Sequence, residues 1–89
     1  MQLAENVLVI EIVPDSSEVN LEQVLEKIKD ELPSYAKLVS HKTEPYVYGL
    51  YKMEIRVVIP EKEGLVDEIE SILNNIEGIT AEVIRMGRL

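Results

Sequence analysis

A short signature occurs twice in this chain: one alternating apolar segment closes on Val13-Pro14-Asp15, another closes on Ile59-Pro60-Glu61, and an amphipathic stretch follows each. Proline lacks the backbone donor that a strand ladder needs, so each signature marks a strand that ends and hands over to a helix. Upstream of the first, residues 7–13 set Leu8, Ile10 and Ile12 against Val7, Val9, Glu11 and Val13. That period of two, rich in β-branched residues, predicts a strand partly buried on both faces and therefore central. An acidic, turn-like connection over 15–18 leads onward. Asn20 and Gln23 then have the spacing of a capping box, and Leu21, Val24, Leu25, Ile28 and Leu32 recur at helical spacing until Pro33 stops the helix at Leu32. Glu22, Glu26, Lys29 and Asp30 cover its solvated side. Residues 36–42 alternate weakly and carry lysines, the habit of an edge strand.

The second half repeats this plan. Met53, Ile55, Val57 and Ile59 make one face of a strand and Lys52, Glu54 and Arg56 the other. After a turn over 60–64, Leu65, Val66, Ile69, Ile72, Leu73 and Ile76 predict a second amphipathic helix, with Gly78 suited to cap it. Residues 79–86 form the last strand, with Ile79, Ala81 and Val83 on one parity, Ile84 and Met86 on the other, and Gly87-Arg88-Leu89 running on as a short tail. Two βαβ units joined through their middle strands by right-handed crossovers predict a ferredoxin-like α+β fold, a four-stranded antiparallel sheet with both helices on one face. Eighty-nine residues support one core, hence a single domain over 1–89.

Charge and residue types narrow the function. The formal net charge is -8, and the basic residues are dispersed apart from Arg85 and Arg88. Such a field repels phosphate backbones and anionic membranes and favours a partner with a basic surface. Without cysteine there are no disulfides, thiolate metal sites or thiol chemistry, which fits a reducing compartment. The apolar run 7–13 is too short to span a membrane and has no basic lead-in, so the expected location is the cytoplasm. His41 is the only histidine, and neither a GxSxG elbow nor a P-loop occurs, so no enzymatic activity and no cofactor is expected. Glu61 and Glu63, or Asp67 and Glu70, lack the ligand order of a calcium loop and read as solvated acids at helix starts. A small-molecule-binding regulatory module of the same fold is the alternative, its weak candidate loop being Pro14-Asp15-Ser16-Ser17-Glu18.

Aromatic residues are concentrated in one place. The chain has no Phe and no Trp, and three of its four tyrosines, Tyr46, Tyr48 and Tyr51, fall within six residues. A recognition surface built on rigid rings belongs here. Glu44-Pro45 favours extended backbone and Gly49 permits a bend. Tyr51 shares the parity of Met53 and Ile55 and is expected to pack beside its strand, whereas Tyr46 and Tyr48 share that of Lys52 and are expected to be exposed.

The element Pro45-Tyr46-Val47-Tyr48-Gly49-Leu50, followed by Lys52 and a long strand, resembles the nucleotide-exchange domain of translation elongation factor 1-beta. The second helix ending at Ile76-Glu77-Gly78 and the closing Arg88-Leu89 fall in that family's order, so the resemblance covers essentially the whole chain, in the compact archaeal form. It implies binding to the GTPase elongation factor 1-alpha, GDP-bound and nucleotide-free, and exchange of its GDP for GTP during protein synthesis. It further implies that Tyr48, with Tyr46, Gly49 and Lys52 beside it, packs on the GTPase. Arg88, followed by Leu89, would reach toward the magnesium and phosphate site. Eukaryotic members typically carry lysine at the position of Arg88, and a planar guanidinium is not equivalent to a compact ammonium.

Overall fold

In the computed structural model, which describes residues 4–89, β1 (Glu5–Pro14) is the spine of the sheet. It pairs antiparallel with β3 (Tyr51–Pro60) on one side and β4 (Ile79–Arg88) on the other, and β2 (Lys37–Pro45) flanks β3 to give the order β2-β3-β1-β4. Helices α1 (Leu21–Glu31) and α2 (Leu65–Asn74) complete the ferredoxin-like arrangement. The expected face of β3 supplies Met53, Ile55, Val57 and Ile59 to the core. They meet Leu8, Ile10 and Ile12 of β1, Val24, Leu25 and Ile28 of α1, and Ile69 and Leu73 of α2. Full burial of one such side chain contributes about 1.5–3 kcal/mol before entropy is counted.

Helix α1 starts and stops where its sequence dictates. The Asn20 side-chain oxygen accepts from the Glu22 and Gln23 N–H groups at 2.9 and 3.2 Å, and the helix closes at Leu32 immediately before Pro33. In α2, two polar side chains on the last turns reach the free edge of β4. The Asn74 amide donates to the Ala81 carbonyl at 2.9 Å while its oxygen accepts from the Ala81 N–H at 2.8 Å, and the Glu70 carboxylate accepts from the Val83 N–H at 2.9 Å. Asn74 thereby imitates a neighbouring strand for one residue of ladder.

Three expectations require correction. Gly78 does not cap α2, which ends at Asn74 with Asn75 as its cap; Gly78 instead takes a left-handed φ of 91° in the turn that enters β4. Residues 87–88 are not a tail, because β4 continues to Arg88, opposite Asn6 of β1. Tyr51 has the predicted parity but is 56% exposed, at the base of the β2–β3 connection opposite Pro45.

Asn74→Ala should lower the unfolding free energy by about 1–3 kcal/mol, measured by urea denaturation, because it leaves the Ala81 peptide without its partners. A second expected outcome concerns Tyr35, which donates a 2.6 Å hydrogen bond to Glu68. Desolvation, then the hydrogen bond and charge of Glu68, push its phenol from 10.0 up to about 12. The phenolate therefore forms first in the unfolded chain, and the stability from this group, complete below pH 10.0, is lost as pH rises toward about 12. Phenolate absorbance should show one tyrosine titrating late, and Tyr35→Phe should abolish that late step.

Candidate functional site

The aromatic stretch folds as the hairpin between β2 and β3. Pro45 lies opposite Tyr51, the Tyr46 N–H donates to the Leu50 carbonyl at 2.7 Å, and the Leu50 N–H donates back to Val47 at 3.0 Å around the turn Val47–Gly49. Two successive residues are left-handed, Tyr48 with φ 55° and Gly49 with φ 75°. Glycine adopts this region freely, whereas for tyrosine it costs roughly 1–2 kcal/mol. The result is that Tyr48 stands at the tip, 97% exposed, with Tyr46, Val47 and Tyr51 also exposed around it.

Lys52 ties this tip to the sheet. Its ammonium lies 2.9 Å from the Glu11 carboxylate and 5.3 Å from the centre of the Tyr46 ring. The hydrogen bond from Lys52 to Glu11 holds the ammonium above its ordinary pKa range, so the group is charged at neutral pH. Lys42 and Arg56 lie at 3.4 and 4.0 Å from Glu54, which sits directly across from Glu11. These cations offset a row of carboxylates, Glu54, Glu11 and Glu82, that register places side by side on three adjacent strands.

Arg88 is positioned by different means. Between Val83 and Arg85 the register with β1 shifts, so that Val83 pairs with Ile10 and Arg85 with Val9, leaving Ile84 as a bulge. Beyond it the alternation is inverted: Met86 lies opposite core residue Leu8, Arg85 opposite Val9, and Arg88 opposite Asn6. Arg88 thus shares the helix-bearing side of the sheet. There its Nε and Nη2 donate to one oxygen of Glu61, at 3.1 and 2.6 Å, while the Leu89 N–H donates to the Glu5 carbonyl at 2.9 Å.

The structure brings Tyr46, Tyr48, Gly49 and Lys52 together and sets Arg88 and Leu89 apart from them. Tyr51 begins β3 beside the Pro14 end of β1, whereas Arg88 lies beside Asn6 at its other end. At about 3.3 Å per residue, the two groups are roughly 25–30 Å apart along the strands. Sequence reading did not find Glu11, Glu61 or the exposure of Tyr51. The first two are distant in sequence from Lys52 and Arg88 and become neighbours only through the sheet register and the turn before α2. Two hollows border the β1–α1 loop: one between Ser16, Ser17 and Tyr51 holds only about 90 Å³, and another, between Val19, Gln23, Ile72 and Asn75, holds about 560 Å³. The first is below and the second within the roughly 300–1,000 Å³ of small-molecule pockets. Among the described residues no cluster of three or more potential metal ligands occurs, and no helix is long and apolar enough to cross a membrane.

The model of the EF-1 guanine nucleotide exchange domain matches residues 7–89. The chain belongs to this family. Within it, the chain is 40% identical over 84 residues to elongation factor 1-beta of Sulfolobus acidocaldarius, covering 92% of this chain and 93% of that protein. It is 40% identical to the protein of that name from Sulfurisphaera tokodaii and 37% to that from Saccharolobus solfataricus, each over 98% of both chains. The C-terminal domain of MgtC from Mycobacterium tuberculosis superposes with a TM-score of 0.55 at 10% identity, over 98% of this chain and 88% of that one, a likeness of fold alone. As an EF-1 guanine nucleotide exchange domain, the chain serves nucleotide exchange in elongation.

Gly49→Ala tests the hairpin geometry. A Cβ there meets nothing within 4 Å, so the cost is backbone strain alone, expected at about 1 kcal/mol in denaturant unfolding.

Proposed function

We propose that this domain acts in the cytoplasm on elongation factor 1-alpha, docking through the β2–β3 hairpin and promoting exchange of GDP for GTP with Arg88. The observation that carries the docking half is Tyr48, a fully exposed aromatic ring held in a costly left-handed conformation at a hairpin tip. Backbone strain of this kind concentrates at binding sites, and exposed tyrosine anchors supply large contact area at low side-chain entropy. Tyr46 and Lys52, braced by Glu11, flank it.

Because the hairpin and Arg88 occupy opposite ends of the strands, the GTPase surface that meets both runs along the length of the domain. Docking and exchange are then separable functions. A GTPase holds its nucleotide through phosphate and magnesium contacts, and a partner that binds the empty state more tightly weakens nucleotide binding by the same factor. A coupling of ~4 kcal/mol corresponds to roughly a thousandfold change in affinity. No covalent step is needed.

Stopped-flow release of fluorescent GDP from elongation factor 1-alpha tests this reading. Tyr48→Ala should raise the half-saturating concentration about tenfold with little change in the maximal rate, since it removes a docking anchor. Arg88→Ala should do the reverse, lowering the maximal rate about tenfold at nearly unchanged half-saturation. Wild-type kinetics in both variants would refute the site assignment, and an unchanged release rate at saturating wild-type domain would refute the function.

A further inference from the structure

We propose that Glu61 is a positioning residue for exchange, one that fixes the orientation of the Arg88 guanidinium while leaving part of its donor set free for the GTPase. This rests on the reading of Arg88 as the exchange group. Both contacts converge on the same carboxylate oxygen, from Nε at 3.1 Å and Nη2 at 2.6 Å, so Glu61 grips one edge of the planar fork. A guanidinium has five N–H donors. The grip occupies two of them, and the Nη1 edge and the second Nη2 hydrogen point elsewhere.

Glu61 itself is well anchored. It follows Pro60 at the end of β3, its N–H donates to the Ala4 carbonyl at 2.7 Å, and α2 begins a few residues later behind Gly64 in a left-handed conformation. Arg88 is held from its own side by the pairing of β4 with Asn6 and by the Leu89 to Glu5 bond beyond it. Two fixed backbones therefore share one ion pair at the rim of the sheet. The pair is open to solvent, with side-chain exposures of 68% for Arg88 and 41% for Glu61.

Exposure decides what such a pair is for. Solvent-exposed ion pairs add little to folding stability, so this one is poorly explained as a fold-holding contact. An unrestrained arginine on a strand end would sample many rotamers, and their loss on docking would oppose the oriented contact that exchange requires. A guanidinium already held at one edge presents its remaining donors with less of that loss. The arrangement also depends on arginine, because an ammonium bound to a carboxylate keeps donors free but lacks the planar fork that fixes their directions.

The test is a double-mutant cycle read by stopped-flow GDP release from elongation factor 1-alpha, using the full chain. Glu61→Ala should lower the maximal rate roughly three- to tenfold, with half-saturation within about twofold of wild type. Glu61→Gln, which keeps an acceptor oxygen and all backbone bonds, should lose less and guards against a folding defect in the alanine variant. In the Arg88→Ala background, Glu61→Ala should have no further effect, the non-additivity expected of residues acting as one unit. Wild-type or faster release by both Glu61 variants, or an equal loss in the presence and absence of Arg88, would overturn the proposal. Should Arg88→Ala itself exchange at the wild-type rate, the reading of Arg88 falls and this proposal with it. If Arg88→Ala is slow while the Glu61 variants are not, the positioning role alone falls.

Discussion

Burial of Leu8, Ile10 and Ile12 beneath the two helices is the constraint on which the rest of this structure depends. All three are fully buried, and β1 carries them between β3 and β4, so any slip of one residue in either pairing turns core residues toward solvent. Once β1 is fixed, so are the facing rows: Met53, Ile55 and Val57 on one side and Ala81 and Val83 on the other. The opposite face inherits what remains. Its carboxylate row is tolerable because Lys42, Lys52 and Arg56 come into register with it.

The groups proposed for function stand at opposite ends of the sheet, on either side of the core. At one, the β2–β3 hairpin projects an aromatic tip that no core contact explains. At the other, β4 ends in Arg88 and Leu89 beside the start of β1. The middle provides stiffness between them. A domain of this kind can transmit docking at one end into placement of a charge at the other without moving, because the separation is set by the length of the strands.

Much of this was legible in the sequence, since the apolar periods of β1, β3 and both helices directly record which side chains are buried. The capping residue Asn20 and the stops at Pro14, Pro33 and Pro60 act through local backbone chemistry and were legible for that reason. What escaped depends on neighbours distant in the chain. Tyr51 has core parity, yet it stands exposed where β3 leaves the hairpin, paired with Pro45 of β2. Gly78 serves a turn because α2 stops at Asn74, where its side chain finds β4. The partnership of Arg88 with Glu61 follows from the bulge at Ile84, of which one trace does exist in the sequence: Arg85 falls on the parity of Ile79, Ala81 and Val83, where an unbroken strand would turn a charge to the helix-bearing side.

That trace gives the bulge a second meaning. Regular pairing past Val83 would set Ile84 opposite Val9, Arg85 opposite Leu8 and Arg88 opposite Glu5, the last of these on the face that carries the carboxylate row. With Ile84 inserted, Met86 stands opposite Leu8 and Arg88 opposite Asn6. One extra residue in an edge strand thus turns the last arginine over, onto the side of the sheet where Glu61 waits.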